Sequence, residues 1–249
     1  MARRYDSRTT IFSPDGRLYQ VEYAMEAINH AGTVIGVLSS DGIIICAEKQ
    51  QTSKLLDKSP EGEKIYEINS NIVSGVAGIT SDANLLINEG RLIAQNYLLK
   101  YDSDIPVEQL VRRLCDIKQG YTQFGGLRPF GSSFLIAGWD PIIGFQLYQT
   151  DPAGNYSGWK AACIGENNSS AQSLLKQEYK VEDDSLLSMD AAYELICKVI
   201  SKTIDSSKLT SDNLEFSTLT LADGTPKVSM FSTKDVDALL KKHSVENTA

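Results

Sequence analysis

The feature that most constrains the fold is a pair of short apolar runs joined by a tight-turn sequence. Thr33–Leu38 and Ile43–Ala47 are rich in β-branched residues, and the sequence Ser-Asp-Gly lies between them at 40–42. Asp-Gly between two such runs favours a hairpin, because both residues readily adopt the backbone conformations of its turn. A second pair, Lys64–Ile68 and Ile72–Ala77, follows the same pattern. The sequence therefore predicts two antiparallel hairpins whose strands are buried on both faces.

Helical and strand patterns alternate along the rest of the chain. Apolar residues at helical spacing predict two helices after the hairpins, one capped by Ser81 and Asp82 and one that opens at Pro106. Their repeating residues are Leu85, Leu86, Leu92, Ile93 and Tyr97 on the first helix, and Leu110, Val111, Leu114, Ile117 and Lys118 on the second. The later predicted elements are strands at 132–137, 143–148 and 159–164, helices at 169–178 and 189–204, strands at 214–221 and 227–231, and a helix at 233–242. This order predicts helices packed outside two stacked, mainly antiparallel sheets.

A turn and an amphipathic helix precede the first strand. Ser13–Gly16 reads Ser-Pro-Asp-Gly, in which Pro presets its own φ and Asp-Gly favours a tight reversal. Leu18, Val21, Met25 and Ile28 then recur at spacings of 3, 4 and 3 residues, which places them on one face of a helix. We predict a single domain over 1–249, made of an arm and turn at 1–17, a helix at 18–30 and a sandwich at 31–249.

Composition excludes several classes of function. The net charge of −8, from 24 Lys and Arg against 32 Asp and Glu, argues against a nucleic-acid partner, which needs a basic surface. The four cysteines are far apart, so a zinc or redox site is not expected and each reads as a small apolar core residue. No apolar run is long enough for a membrane span, and the first residues do not resemble a signal peptide. We expect no cofactor, no metal and no membrane association.

The segment 5–24 closely resembles the N-terminal signature of proteasome alpha subunits. The matching residues are Phe12, Ser13, Pro14, Gly16, Arg17, Gln20, Val21, Glu22, Tyr23 and Ala24. Later segments at 62–66, 76–83, 121–126, 128–131 and 151–154 also resemble the family, so the resemblance runs from about residue 4 to the final helix. It implies an α+β fold, the four-layer αββα sandwich of N-terminal nucleophile hydrolases, with an extra N-terminal helix.

The resemblance also implies a function. Family members form the outer alpha ring of the 20S core particle, gate substrate entry and dock activators for ubiquitin-dependent and ubiquitin-independent protein degradation. The implied partners are other alpha subunits in a hetero-heptameric ring, beta-ring subunits and regulatory particles. The implied location is the cytoplasm and nucleus.

Four residues match the positions that support the open gate in this family. They are Tyr5, Asp6, Pro14 and Tyr23. Tyrosine offers a flat apolar body with one hydroxyl, aspartate accepts hydrogen bonds, and proline fixes the turn that aims the arm. Ser7 departs from the family pattern, in which arginine is common, so the resemblance does not determine whether this arm makes the same contacts as its neighbours.

Two further residues match the pocket that receives activator tails between adjacent alpha subunits. Lys64 matches a lysine that pairs with the terminal carboxylate of the tail. Gly78, at the end of an apolar run, leaves room for the backbone of a tail to approach closely.

A parallel with the catalytic beta subunits offers a competing interpretation. Thr33 follows Gly32, and Glu48 and Lys64 fall where those subunits carry an acid and a lysine. Their nucleophile is an N-terminal threonine whose own amine is the base. An internal Thr33 has an amide nitrogen instead, and the turn and helix before it resemble a built structure and not a propeptide. We therefore expect no catalytic residue, while a threonine peptidase and a free-standing binding scaffold remain alternatives.

Overall fold

A computed structural model describes residues 9–49, 55, 64–179, 185–205 and 208–243 of the chain. Over this part of the chain the elements follow the predicted order of strands, two helices, strands, two helices and strands. They are α1 (Tyr19–Asn29), β1 (Val34–Leu38), β2 (Gly42–Glu48), β3 (Ile65–Asn69), β4 (Ile72–Gly78), α2 (Thr80–Tyr101), α3 (Val107–Gln123), β5 (Ser132–Asp140), β6 (Gly144–Thr150), β7 (Tyr156–Gly158), β8 (Ala161–Ile164), α4 (Asn168–Glu178), α5 (Met189–Thr203), β9 (Leu214–Ala222), β10 (Thr225–Met230) and α6 (Thr233–Lys242).

The strands form two five-stranded sheets. The first has the order β10-β9-β2-β1-β8, and the second runs β3-β4-β5-β6-β7. Neighbouring strands are antiparallel in both sheets, as the hairpin signals predicted. The second sheet keeps its strands in chain order, with α2 and α3 between β4 and β5, whereas the first brings β2 against β9 from the far end of the chain.

Three apolar clusters show how the layers stack. The middle cluster lies between the sheets and includes Val34 and Ile45 of the first sheet and Leu135 of the second. A second cluster joins the outer face of the first sheet to α4, α5 and α6. The third joins the outer face of the second sheet to α2 and α3. The order of layers is therefore helix, sheet, sheet, helix, and the predicted αββα sandwich with an extra N-terminal helix is confirmed.

Gly75 allows the two sheets to approach closely. A Cβ atom added there would lie 2.6 Å from Cγ1 of Val34 and 2.9 Å from Cγ2 of Ile45, two side chains of the opposite sheet. Such contacts are too short for real atoms, so any side chain at this position would push the sheets apart.

The predicted strand at 159–164 is confirmed from Ala161 onward as β8, but its first two residues are wrong, because the chain changes sheets there. β7 ends at Gly158 as the edge of the second sheet, and β8 begins at Ala161 as the edge of the first. The nitrogen of Trp159 still donates to the carbonyl of Leu147, in the second sheet, at 2.8 Å. The carbonyl of Lys160 accepts from Leu38, in the first sheet, also at 2.8 Å. The apolar pattern continues through this crossing and therefore did not reveal it.

Two predictions about α2 are also wrong. The helix follows Ile79 as its N-cap residue, and no side chain caps it, so Ser81 and Asp82 do not have the predicted role. Leu85 and Leu92, predicted to lie on its apolar stripe, are 64% and 58% exposed. The buried face uses smaller residues as well as large ones: its members are Asp82, Ala83, Leu86, Ile87, Gly90 and Ala94. No helix among the described residues combines the length and apolar character that a membrane span needs.

Candidate functional site

The turn before α1 is closed by backbone hydrogen bonds. The nitrogen of Gly16 donates to the carbonyl of Ser13, and the nitrogen of Ser13 donates to the carbonyl of Arg17, both at 2.9 Å. The hydroxyl oxygen of Ser13 accepts a third bond from the nitrogen of Arg17 at 3.1 Å. Gly16 has a φ of +75°, which a side chain would disfavour. The predicted turn is therefore a fixed structure that leads directly into α1.

Two of the predicted gate residues lie on this turn and helix. Pro14 is exposed, and Tyr23 is 50% exposed with its ring centre 6.3 Å from that of Tyr19. They make no hydrogen bond or ring contact with each other. Tyr5 and Asp6 lie outside the described residues. The gate assignment therefore stays a prediction.

The linker Ala31–Thr33, which joins α1 to β1, is held on the first-sheet side. The carbonyl of Ala31 accepts from the nitrogen of Glu166 at 2.7 Å. The hydroxyl of Thr33 donates to the carbonyl of Glu166 at 2.8 Å. The nitrogen of Thr33 donates to the Glu48 carboxylate at 3.2 Å. The backbone of the linker and the side chain of Thr33 thus both form hydrogen bonds with the first-sheet side.

Lys64 binds the same linker from the other side. Its ammonium nitrogen donates to the carbonyl of Gly32 at 2.5 Å. Burial lowers the pKa of Lys64 to about 8, an effect that the nearby carboxylates of Glu48 and Glu215 partly oppose. A lysine with this pKa still carries a proton in most molecules at neutral pH.

The two carboxylates near Lys64 are themselves satisfied. Glu48 is only 3% exposed and pairs with Lys208 at 3.0 Å. Glu215 accepts from the backbone nitrogens of Lys64 and Ile65 at 3.1 and 3.2 Å. Two cations and two carboxylates therefore lie together, which limits the cost of burying charge at this end of the sandwich.

The fold brings together the three residues that suggested a peptidase, but without an activated nucleophile. The nitrogen of Thr33 is a peptide N–H that donates to Glu48, so it has no lone pair to act as a base. The hydroxyl of Thr33 donates its proton to a backbone carbonyl, which is not a general base either. The geometry supports the non-catalytic interpretation of Thr33.

The two predicted pocket residues lie at the same end of the second sheet. The carbonyl of Lys64 accepts from Val76 at 2.9 Å, two residues before Gly78. Gly78 has a φ of +125°, and a Cβ atom there would lie 2.1 Å from the carbonyl oxygen of Gly131. The backbone that approaches Gly78 in the structure is thus the chain's own, which gives this glycine a structural reason to be present. The role of Gly78 in binding an activator tail stays a prediction.

An ion pair between Asp82 and Arg128, which sequence reasoning missed, lies close to Gly78. Asp82 is 5% exposed and accepts from both terminal nitrogens of Arg128, at 2.6 and 2.8 Å. It also accepts from the nitrogen of Gly131 at 2.8 Å. The Arg128 hydrogen bonds lower the pKa of Asp82 more than its burial raises it. Nothing in the local sequence pairs two residues that are 46 positions apart.

Lys118 is a second candidate that sequence reasoning placed on the apolar stripe of α3 without giving it a role. A lysine on an apolar stripe is the signal that could have marked it as a buried charge. It is fully buried, and its ammonium donates to the carbonyl of Ser132 at 3.0 Å and to the hydroxyl of Thr150 at 2.9 Å. Burial lowers its pKa to about 7. Because Lys118 has no solvent exposure, we assign it to stability.

The cysteines are core residues, as predicted. Cys46, Cys115, Cys163 and Cys197 are buried and free. Burial raises the pKa of Cys163 and Cys197 to about 12, so neither is a thiolate at neutral pH. Within the described residues, no three His, Cys, Asp or Glu side chains are placed to hold a metal ion.

Comparison with known proteins agrees with this architecture. A family model described as "Proteasome subunit" matches residues 28–219, and a second model, for the N-terminal signature of A-type proteasome subunits, matches residues 5–27. The chain is 58% identical to the alpha type-4-A proteasome subunit of Arabidopsis thaliana, over 100% of this chain and 98% of the relative. It is 57% identical to the alpha type-4 subunit of Drosophila melanogaster, over 98% and 92%. For the alpha type-4 subunit of Petunia hybrida the identity is again 57%, over 97% and 96%. The chain therefore belongs to the family of proteasome alpha subunits.

Proposed function

We propose that the chain is a non-catalytic structural subunit of the outer alpha ring of the 20S proteasome core particle. There it gates substrate entry and docks activators, for both ubiquitin-dependent and ubiquitin-independent protein degradation. The observation that carries this proposal is the match to alpha type-4 relatives over the whole chain, including the signature at 5–27 ahead of Thr33. Proteolysis by the threonine endopeptidase complex then belongs to the beta subunits.

The arrangement around Thr33 supports the non-catalytic part. A threonine peptidase needs a free amine at its nucleophile, and the nitrogen of Thr33 is an amide bonded to Gly32. The structure of α1 and its turn also supports a retained segment, because Val21 and Ile28 are buried against the sandwich. Removal of this segment would expose the apolar surface of the sandwich that α1 now covers.

The proposed partners are other alpha subunits, beta-ring subunits and regulatory particles. A closed ring makes the contacts between neighbours heterologous, so opposite sides of the domain become interfaces. We propose the cytoplasm and nucleus as the location, on the ground of the family resemblance alone.

The first test is the intact mass of this chain after it is ejected from its native particle. A mass that includes the arm and α1, from a multi-subunit assembly, is expected. A mass that begins at Thr33 would overturn the proposal in favour of a threonine peptidase. Recovery of the chain only as a stable monomer would favour a free-standing scaffold.

The gating role is tested by deletion of residues 1–9. We expect basal peptide hydrolysis by the assembled particle to increase, because the arm covers the pore in the proposed arrangement. A variant that lacks residues 244–249 controls for the general effect of shortening the chain. An unchanged rate in a fully assembled particle without the arm would contradict the gating role.

The docking role is tested by cross-linking of activator tails to the pocket that contains Lys64. We expect Lys64→Ala to reduce tail insertion at this pocket and to leave insertion at the other pockets of the ring unchanged. Undiminished insertion at this pocket would contradict the docking role of Lys64.

A further inference from the structure

A cavity of about 300 Å³ lies between the C-terminal end of α2 and the N-terminal end of α3. Its apolar part consists of Ile93, which is half-buried, and Ile105, which is 2% exposed. The polar side chains around it come in pairs four positions apart, so the members of each pair share one helix face, one turn apart. These pairs are Asn96 with Lys100 and Tyr97 with Tyr101 on α2, and Gln109 with Arg113 on α3.

The cavity has an unbalanced positive charge. Lys100 lines it from α2 and Arg113 from α3, and none of the described side chains that line it is acidic. Among the described residues, no group forms a hydrogen bond or an ion pair with the charged end of either side chain. Two cations from different helices are therefore directed to one space without a partner for their charge.

The arginine next to Arg113 shows that this is not general on α3. Arg112 donates to the Glu108 carboxylate at 3.1 Å and to the Tyr156 hydroxyl at 3.4 Å, and these contacts raise its pKa. The chain thus uses Arg112 for its own structure. Arg113 keeps its N–H donors for a group from outside the described residues.

Two aromatic rings complete the site. The ring centres of Tyr97 and Tyr101 are 4.5 Å apart, and the rings are tilted by 44°. Tyr101 is 64% exposed, so its ring offers a face to a planar ligand. Nucleic-acid bases bind to such faces by stacking, and every base has a suitable face.

We infer that this cavity binds a nucleoside monophosphate, with its phosphate between Lys100 and Arg113 and its base against Tyr97 and Tyr101. A phosphate monoester carries about −1.5 to −2 charges at neutral pH, which two cations match better than they match the single charge of a carboxylate. The guanidinium of Arg113 has the planar geometry that binds two phosphate oxygens at once.

The charge of the site also limits the size of the ligand. Two cations are enough for one phosphate but too few for a polynucleotide, which needs a row of them along its backbone. The net charge of −8 agrees with this limit. The inference goes beyond the proposed function and does not depend on it, because every group of the site belongs to this chain.

The test is equilibrium binding of adenosine monophosphate (AMP) to the full-length chain, measured by calorimetry. We expect AMP to bind at one site, and inorganic phosphate and adenosine, as separate probes, to bind at least roughly tenfold more weakly, because each lacks one half of the contacts. Arg113→Gln and Lys100→Gln should each weaken AMP binding roughly tenfold, the scale of a charged hydrogen bond. Tyr101→Ala should weaken it by a similar factor through the loss of stacking.

Arg112→Gln is the matched control. It removes the same charge from the adjacent position, outside the cavity, and should leave the affinity for AMP within roughly twofold of the wild type. Equal weakening by Arg112→Gln and Arg113→Gln would reduce the effect to general electrostatics and overturn the inference. Inorganic phosphate that binds as tightly as AMP would overturn the role of the base.

The wild-type chain gives a second measurement that does not depend on the folding of any variant. A photoreactive azido derivative of AMP should label the peptide that contains Tyr97 and Tyr101, and unmodified AMP should suppress the label. Labelling of other peptides alone, or no saturable binding of AMP, would overturn the inference. An acidic peptide that binds the cavity more tightly than AMP would assign it to a protein partner instead.

Discussion

The ammonium nitrogen of Lys118 lies 4.4 Å from the centre of the Phe134 ring, in a site without solvent exposure. The ring face and two oxygen acceptors replace the water that a lysine normally binds. Cys115 and Asp151 favour the charged form of Lys118 and so oppose the lowering of its pKa, but neither forms an ion pair with it. The charged form is therefore less stable in the folded chain than in the unfolded one.

This relationship predicts a stability that increases with pH. The pKa of Lys118 is about 7 in the folded chain against 10.5 ordinarily, so between these values the unfolded chain binds more protons. The free energy of unfolding should then increase by about 1 kcal/mol for each pH unit above 7.5. Lys118→Met should show a smaller increase than the wild type in chemical unfolding at pH 7, 8 and 9, because only the increase that comes from Lys64, whose pKa is lowered to about 8, remains. If the free energy of unfolding increased with pH equally in the variant and the wild type, this prediction would be wrong.

The contacts of Asp82 predict a loss of stability in acid. The pKa of Asp82 is lowered, so its contribution is present above the ordinary value of 3.8 and is lost as the pH falls below it. Asp82→Asn should reduce the free energy of unfolding at pH 7 by about 1 to 3 kcal/mol, because charged hydrogen bonds to Arg128 and Gly131 are weakened. It should also remove part of the acid dependence. Equal denaturation midpoints for variant and wild type at neutral pH would contradict this prediction.

Gly78 and Gly16 form a matched pair for the effect of a side chain. Both have positive φ, but a Cβ atom at Gly16 meets nothing within 4 Å, whereas one at Gly78 meets the Gly131 backbone. Gly16→Ala should therefore cost only the backbone strain, about 1 kcal/mol, and Gly78→Ala distinctly more, at least about 3 kcal/mol. Urea unfolding of both variants gives the comparison. Similar losses would show that the contact with Gly131 relaxes easily, and a change of Gly78 would then be usable as a probe of tail docking.

The capping box at the N-terminus of α6 predicts a smaller loss of stability than the changes at Gly78 and Asp82. Ser232 accepts from the nitrogen of Asp235 at 3.4 Å, and the Asp235 carboxylate accepts from the nitrogen of Ser232 at 3.0 Å, which completes a capping box. Ser232→Ala should lower the melting temperature by about 2 to 4 °C, the usual consequence of losing a cap in a chain of this size. Thr80→Ala serves as the control, because α2 has no side-chain cap. A shift of the same size in both variants would mean that the cap at α6 has no special effect.

The strands could be predicted because their signals are local. β-branched runs and the Asp41-Gly42 turn determine β1 and β2 over fewer than twenty residues. The convergence of Thr33, Glu48 and Lys64 was also anticipated, through the parallel with catalytic relatives. It came from the resemblance and not from any pattern within this chain.

The parts that could not be predicted depend on distant partners. Asp82 looked like a helix cap, and only the arrival of Arg128 from the loop between α3 and β5 shows what its carboxylate binds. The change of sheet at Trp159 depends on which strand each backbone group meets, and apolar character is the same in both sheets. Leu85 and Leu92 are apolar residues that the folded chain leaves exposed, so periodicity alone assigned them to the wrong face.

The edge strands of the two sheets affect how the chain behaves before it assembles with other subunits. An exposed strand with free backbone groups invites pairing with a strand of another copy, which leads to aggregates. Here β10 contains Pro226, β3 has a register shift between Glu67 and Asn69, and β7 and β8 are only three and four residues long. Each of these features interrupts the ladder that an incoming strand would need. We therefore expect a newly synthesised copy to persist in solution as a separate molecule, available for incorporation, without adding to others through its strands.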